Sequence, residues 1–412
     1  MSKCDSEKSL KKQMVNSGSP GQDRNPELTW DEFYSQALEG LSQQGLRRSL
    51  RRVTGRQGPR MSVGGRNALM LAGANYLDLA GDARVLEASN QATLRYGAAA
   101  GGARLISGNL DLHEALEAEL ATAAGSEASL LFSTGYMANL GVITALVGPG
   151  AAIFSDSLNH ASTVDACRLT RAETCVFRHN DPDHFESLLR KSRARRKILV
   201  TDGVYSMDGD VANLEAMIPI ARRHGVAVVL DDAHGFGVLG EGGRGVIELA
   251  GVDVDFLVGN LGKALGSFGA FVACSASARD FLVNKARSFI FTCGLAPGPT
   301  AAALAALRSS RSEPERRKRL AERAALLRDG LNAVGFDTGP SHTQIVPAIV
   351  GDNARTMSLC ERALERGIYA QGIRYPTVPK GTARLRLTPT AAHSVDEIQH
   401  VVKVLGEVAA AL

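Results

Sequence analysis

An α/β fold is what this sequence predicts: a central, mostly parallel sheet with helices on both faces, plus a smaller α+β region at the C-terminal end. Three observations predict it. From about Leu71 to Cys274, short apolar or β-branched runs stop abruptly at polar residues or glycine. Each run is continuous rather than alternating, the pattern of strands covered on both faces. Helical stretches separate the runs, and strands that alternate with helices imply parallel pairing.

Taken in order, residues 1–26 are rich in Lys, Ser, Gly, Asn and Pro and read as a disordered tail. Trp30, Phe33, Tyr34, Ala37, Leu38 and Leu41 have helical spacing, so a helix and an arm are expected over 27–73. A large domain is expected over 74–300. Its strand runs are Leu130–Phe132, Ala151–Phe154, Thr174–Phe177, Ile198–Thr201, Val226–Leu230, Phe256–Val258 and Ala270–Ala273. A small domain is expected over 301–412. It opens with an Ala- and Arg-rich helical stretch that Pro314 starts or interrupts. It then mixes strand-like runs (Ile345–Val350, Ala383–Thr388) with helices (Arg355–Arg366, Asp396–Ala411).

Composition narrows the function classes. Apolar residues at 44% and charged residues at 22% suit a folded globular chain. No apolar stretch approaches the roughly 20 residues of a membrane span, and the polar start lacks the apolar core of a secretion signal. Six Cys without a CxxC pair argue against a disulfide scaffold or a zinc knuckle, so a cytoplasmic setting is expected. A net charge of +4 is too small to imply nucleic-acid binding. Two basic runs, Arg190–Lys197 and Arg316–Arg319, lack interleaved aromatics and read as solvated helix faces rather than docking patches.

Ligands of parallel sheets sit beyond the carboxyl ends of the strands. The residues there are Ser133-Thr134-Gly135, Ser155-Asp156, Asp202-Gly203, Asp231-Asp232 and Gly259-Asn260. Lysine is scarce: only 11 of the 47 basic residues are Lys, and Lys263 stands alone between Lys197 and Lys285. A chain that uses Arg for solubility and keeps Lys here has a use for an amine that can lose its proton, which Arg cannot do. Val228 to Gly235 deliver Asp231 to a strand end, with His234 three residues on. Asp, His and Lys at neighbouring strand ends suit pyridoxal phosphate. The amine can form a Schiff base with its aldehyde, and the carboxylate can keep its pyridine nitrogen protonated. The imidazole can hydrogen-bond its phenolic oxygen. Exposed amides where Ser133-Thr134-Gly135-Tyr136 opens a helix suit its phosphate. His160, after another strand, either stacks on a flat ring or is an ordinary loop residue.

These motifs in combination resemble the α-oxoamine synthase family of fold-type I pyridoxal-phosphate enzymes, from about Trp30 to the C-terminus. The resemblance is carried by Phe132–Asn139, Asn159-His160-Ala161-Ser162, Tyr205–Asp210, Asp231–Gly235, Leu261-Gly262-Lys263, Pro376–Pro379 and Gly381–Thr388. It implies that Lys263 is the Schiff-base lysine and general base and that Asp231 partners the pyridine nitrogen. It places His234 and Ser206 at the phenolic oxygen and His160 on the ring. Gly135 and Tyr136 contribute backbone groups, and Asn260 stands where a Thr usually contacts the phosphate. Thr292 lies in a segment that reaches a partner subunit's cofactor. Arg386 would bind the amino-acid carboxylate, and Arg48 and Thr377 match substrate contacts.

The implied reaction is a decarboxylating condensation of L-alanine with a pimeloyl thioester, on coenzyme A or an acyl carrier protein, by a homodimer without metal. Ala74, Asn260, Phe268 and Cys293 depart from the family pattern near the site. Two rivals follow: a paralogue that uses glycine, serine or another acyl thioester, as in a natural-product pathway, and a non-catalytic scaffold subunit. Retention of Lys263, Asp231 and His234 argues against the scaffold.

Overall fold

The computed structural model describes residues 28–412; the tail expected over 1–26 lies outside the described residues. Two compact units are described separately, residues up to Leu50 and residues 51–412.

The first unit holds the helix Trp30–Gln43. Thr29 and Glu32 close its start reciprocally: Thr29 Oγ1 accepts from Glu32 N (3.3 Å) and Glu32 Oε2 accepts from Thr29 N (2.8 Å). Such a capping box satisfies two of the amides that a helix start leaves free. Trp30 stacks on Tyr34 at a centroid distance of 6.0 Å, one turn along the helix. Arg48 follows the helix, outside regular structure.

In the second unit the strands are β1 Val53–Thr54, β2 Arg60–Val63, β3 Arg66–Met70, β4 Ala128–Phe132, β5 Ala152–Asp156, β6 Glu173–Phe177 and β7 Lys197–Asp202. They continue as β8 Ala227–Asp231, β9 Phe256–Asn260, β10 Ala270–Cys274, β11 Val346–Gly351, β12 Ile368–Tyr369, β13 Gln371–Ile373 and β14 Ala383–Leu387. Seven of them form the central sheet in the order β4-β10-β9-β8-β7-β5-β6. The pairs from β9 to β6 are parallel, and β10 runs antiparallel to both β4 and β9. Alternate residues enter different cores. Leu131, Phe154, Leu199, Val228 and Leu257 pack on one side, and Leu130, Ile153, Ile198, Val229 and Val258 on the other. Burial on both faces is the reason the strand runs are uninterruptedly apolar.

Two smaller sheets complete the unit. The order β1-β2-β3-β12 joins the segment before the large sheet to Ile368–Tyr369 near the C-terminal end. The order β11-β14-β13 packs on the helices Glu315–Ala333, Asn353–Glu365 and Val395–Ala410 through Leu331, Leu359, Leu385 and Val401. Pro314 caps the start of Glu315–Ala333, following the helix Pro297–Ser312. No described helix is long and apolar enough to cross a membrane.

Candidate active site

Strands β9, β8, β7 and β5 run parallel, so their carboxyl ends deliver Asn260, Asp231, Asp202 and Asp156 to one edge of the sheet. Lys263 follows β9 by three residues in a tight turn, half-buried. Its Nζ lies 3.0 Å from His234 Nε2. Burial lowers its proton affinity; the carboxylates of Asp231 and Asp202 work against that, and Arg386 adds to it. An amine so placed loses its proton more readily than a surface lysine.

His234 sits in the turn after β8. Burial pushes its pKa well down, and Lys263 and Arg386 add to the effect, so the imidazole is neutral. Its Nδ1 is 2.7 Å from the hydroxyl of Tyr76, a fully buried residue, and its carbonyl accepts from Gln344 Nε2 (2.7 Å).

Asp231 ends β8. Asn139 Nδ2 donates to its Oδ2 (2.6 Å) and to Ser162 Oγ (2.9 Å), and Ala233 N donates to its Oδ1 (3.1 Å). Asn139 Oδ1 is buried with no partner. Asn139 lies one turn into the helix Gly135–Leu146, whose start is capped by Thr134 Oγ1 accepting from Met137 N (3.1 Å). That cap leaves the amides of Gly135 and Tyr136 free of protein acceptors among the described residues. Asn260 Oδ1 accepts from Gly262 N (2.8 Å), which turns its amide nitrogen the other way. A Cβ on Gly135 would meet that nitrogen at 3.1 Å, so the glycine keeps the approach between helix start and amide open.

The donor set fits pyridoxal phosphate, the cofactor expected from the sequence. Free helix-start amides and the Asn260 side chain suit its phosphate. The Asp231 carboxylate, already held by two donors, suits a protonated ring nitrogen. A neutral imidazole and an amine of lowered proton affinity face each other beside them.

The remaining expected residues are placed as follows. His160 caps the helix Ala161–Leu169, with its amide donating to Asp202 (3.1 and 3.2 Å) and its Nδ1 2.7 Å from Ser162 Oγ. Arg386 and Arg384 alternate on β14 and reach one loop. Arg386 Nε donates to the Ser206 carbonyl, and Arg384 pairs with Asp208 and donates to the Met207 carbonyl (3.3 Å). Arg384 is buried and spent on that ion pair, whereas Arg386 is half-buried, lies against Tyr76 and acts electrostatically on His234. Thr377 sits exposed in the turn between β13 and β14, its amide donating to the Arg374 carbonyl (3.0 Å). Thr292, beside a bridge between Ala103 and Cys293, makes no hydrogen bond to Lys263, His234 or Asp231.

Sequence reasoning missed four contributors: Asn139, Tyr76, Gln344 and His179. Asn139 had a signal, since it stands one helical turn after the free amides. His179 bridges Asp156 Oδ1 (3.0 Å) and Asp210 Oδ2 (2.8 Å). Asp156 also accepts from Leu158 N (2.8 Å) and Asn180 N (2.9 Å), so this bridge braces the loop that carries His160. Burial alone would lower the imidazole's pKa, but hydrogen bonds to the two carboxylates overcome it and push it up to about 10. A folded pKa above the unfolded value of about 6.5 stabilises the fold fully below pH 6.5, and that contribution fades as pH rises towards 10. His179→Gln should therefore lower Tm most at pH 6, by the equivalent of several kcal/mol as an order of magnitude, and least at pH 10.5. Thermal unfolding of both proteins across that range checks it. A gap in Tm that does not narrow with pH would mean the ring is neutral in the fold.

Comparison with known proteins gives concordant matches. Residues 66–405 match the family described as Aminotransferase class I and II. The chain is 50% identical over 376 residues to an 8-amino-7-oxononanoate synthase of Geobacter sulfurreducens, covering 90% of this chain and 96% of that one. It is 49% identical over 380 residues to the enzyme of that name from Geobacter metallireducens, covering 91% and 97%. Among solved structures, a serine palmitoyltransferase from S. paucimobilis with a bound PLP–myriocin aldimine superposes with a TM-score of 0.88 at 31% identity, covering 92% and 97%.

Proposed function

The chain belongs to the aminotransferase class I and II family, and on that premise we propose that it condenses L-alanine with a pimeloyl thioester. The products are 8-amino-7-oxononanoate, carbon dioxide and the free thiol, a step of biotin biosynthesis. It is a pyridoxal-phosphate-dependent acyltransferase. The observation that carries this reading is the Lys263 amine, its proton affinity lowered by burial, 3.0 Å from a neutral His234 at the sheet edge where Asp231 ends β8. It stands in a chain half identical to enzymes of that name.

Bound pyridoxal phosphate supplies an aldehyde that amines can carry and a protonated ring that withdraws electrons from the amino acid's α-carbon. Lys263 would hold the aldehyde, Asp231 the ring nitrogen, Gly135, Tyr136 and Asn260 the phosphate, His160 the ring face, and His234 with Ser206 the phenolic oxygen. Thr292 would serve the partner subunit's site. The Arg386 guanidinium offers a planar fork to the planar carboxylate of alanine. Lys263, once its amine is free, removes the α-proton of alanine and returns a proton after carbon dioxide leaves; its lowered proton affinity suits that exchange. His234 and Arg386 both interact with the Tyr76 hydroxyl and keep the reacting end of the site polar.

We read the enzyme as a cytoplasmic homodimer that takes its acyl group from coenzyme A or an acyl carrier protein. Exposed Ile106, Phe268 and Phe291, open by 84%, 53% and 70%, support a partner subunit, and six cysteines without a CxxC pair support a reducing compartment.

The test is an assay of purified protein with alanine, glycine and serine against thioesters of varied chain and carrier. Alanine with pimeloyl thioester should give the highest kcat/KM. Serine with a long unsubstituted chain in first place would overturn the assignment in favour of a paralogue. Within the same assay, Arg48→Ala should weaken the preference for pimeloyl over an unsubstituted chain of equal length by roughly ten- to a hundredfold, the worth of a charge-assisted hydrogen bond to the distal carboxyl. A uniform fall in rate for both thioesters would assign Arg48 a structural role.

A further inference from the structure

Tyr76 is fully buried and its hydroxyl lies 2.7 Å from His234 Nδ1. One proton is shared between them, and its position decides what the other ring nitrogen offers to Lys263. The surroundings of the phenol oxygen settle the direction. Arg386 lies against it, and a guanidinium has donors only. Gln344 is also close, yet its Nε2 is engaged with the His234 carbonyl and its Oε1 has no partner, so the phenol proton is not given to it. The acceptor facing the Tyr76 hydroxyl is therefore His234 Nδ1. A neutral imidazole that accepts at Nδ1 carries its proton at Nε2.

We propose that Tyr76 is a positioning residue that donates to His234 Nδ1, holds the ring as its Nε2–H tautomer, and so makes it a hydrogen-bond donor towards Lys263 and the group that lysine carries. Three features agree. Lys263 Nζ at 3.0 Å can accept from Nε2–H only as a free amine, and burial lowers its proton affinity. Burial raises the pKa of Tyr76 more than Arg386 and Gln344 lower it, so the phenol keeps its proton. The Gln344 bond to the His234 carbonyl fixes the backbone from which the ring projects. The inference rests on the proposed roles of Lys263 and His234 but not on the identity of the substrate.

The first test needs no substrate. Nitrogen-15 NMR of the histidine-labelled full-length chain, with His234 assigned by comparison with His234→Gln, should show Nε2 protonated and Nδ1 bare, both without and with pyridoxal phosphate. A protonated Nδ1 overturns the proposal. In Tyr76→Phe, which keeps the buried ring, the fixed tautomer should be lost. In the loaded variant, kcat should fall by about tenfold, the worth of one hydrogen bond, while KM for the amino acid stays within about twofold. The pH midpoint of the visible band should move up, because an oxygen that loses a donor holds its own proton more tightly. An unchanged tautomer, or an unmoved band with wild-type kcat, also overturns it. Failure of the condensation assay with a fixed Nε2–H tautomer would count against the substrate assignment alone.

Discussion

Lys263→Ala is expected to lose turnover altogether and, with it, the visible absorbance that pyridoxal phosphate gains when a lysine holds it. The structure gives the reason in three steps. Lys263 stands three residues past the end of β9, in a turn whose neighbours Leu261, Ala264 and Leu265 are buried, so the backbone that aims the amine is fixed by packing. Burial strips the amine of solvent and lowers its proton affinity, against the pull of Asp231 and Asp202. His234 then stands 3.0 Å away. On the proposed roles of Lys263, the variant loses both the amine that holds the cofactor and the base that moves the α-proton. The second loss alone is worth about 10²–10⁴-fold in rate. Because Ala shortens a half-buried side chain without placing a new group among its neighbours, the fold should survive. Two measurements decide: the absorbance spectrum after loading with pyridoxal phosphate, and turnover with and without an added small primary amine. Partial recovery by the amine separates lost chemistry from lost structure. A visible band of normal intensity in the variant would place the linkage elsewhere.

Part of this site is legible in the sequence. The apolar runs of the central sheet were readable because both faces are covered, which removes the alternation that a one-sided strand would show. The convergence of Asp231, His234 and Lys263 was readable because these are unusual residues to find directly after apolar runs. The direction of β10 was not readable. Ala270–Cys274 is as apolar as its neighbours, and its antiparallel insertion between β4 and β9 leaves no mark on composition. Nor were the supporting contacts readable. Asn139 and Asp231 are 92 residues apart, and Tyr76 and His234 are 158 apart. No local spacing reports such pairings; they exist only once the strands are ordered. The alternation of Arg384 and Arg386 shows the same limit. Positions two apart on a strand share one face, but only packing shows that Arg384 is consumed by Asp208 and that Arg386 remains half-buried beside Tyr76.

The adjacent carboxylates Asp231 and Asp232 give the sharpest contrast, and substituting each by the amide should have opposite results. Asp231 faces the helix Gly135–Leu146 and takes hydrogen bonds from Asn139 and Ala233. Asp232 points the other way into a closed pocket. A Cβ on Gly203, Gly235 or Gly245 would come within 2.4, 2.2 or 1.8 Å of its oxygens, so three glycines are needed merely to leave it room. Its Oδ2 accepts from Val246 N (2.8 Å), and its Oδ1 has no partner. Burial pushes its pKa up to about 7. A carboxyl so enclosed cannot reach a ring nitrogen, and around neutrality it is partly protonated already. Asp232→Asn keeps an acceptor for Val246 N and removes a buried charge, so activity should stay within a few-fold of wild type. Asp231→Asn keeps the shape but cannot hold a proton on a pyridine nitrogen. The ring then withdraws electrons poorly, and the rate should fall by about a hundred- to a thousandfold, the worth of two to three pKa units expressed in the transition state. The amide also turns its own donor towards Asn139 Nδ2, itself a donor, which loosens the side chain further. Both variants should load with pyridoxal phosphate through Lys263, so the visible band reports occupancy independently of turnover. Near-normal turnover in a loaded Asp231→Asn enzyme, or a collapse confined to Asp232→Asn, would transfer the role of ring partner away from the strand end and require the ring to lie on the other side of β8.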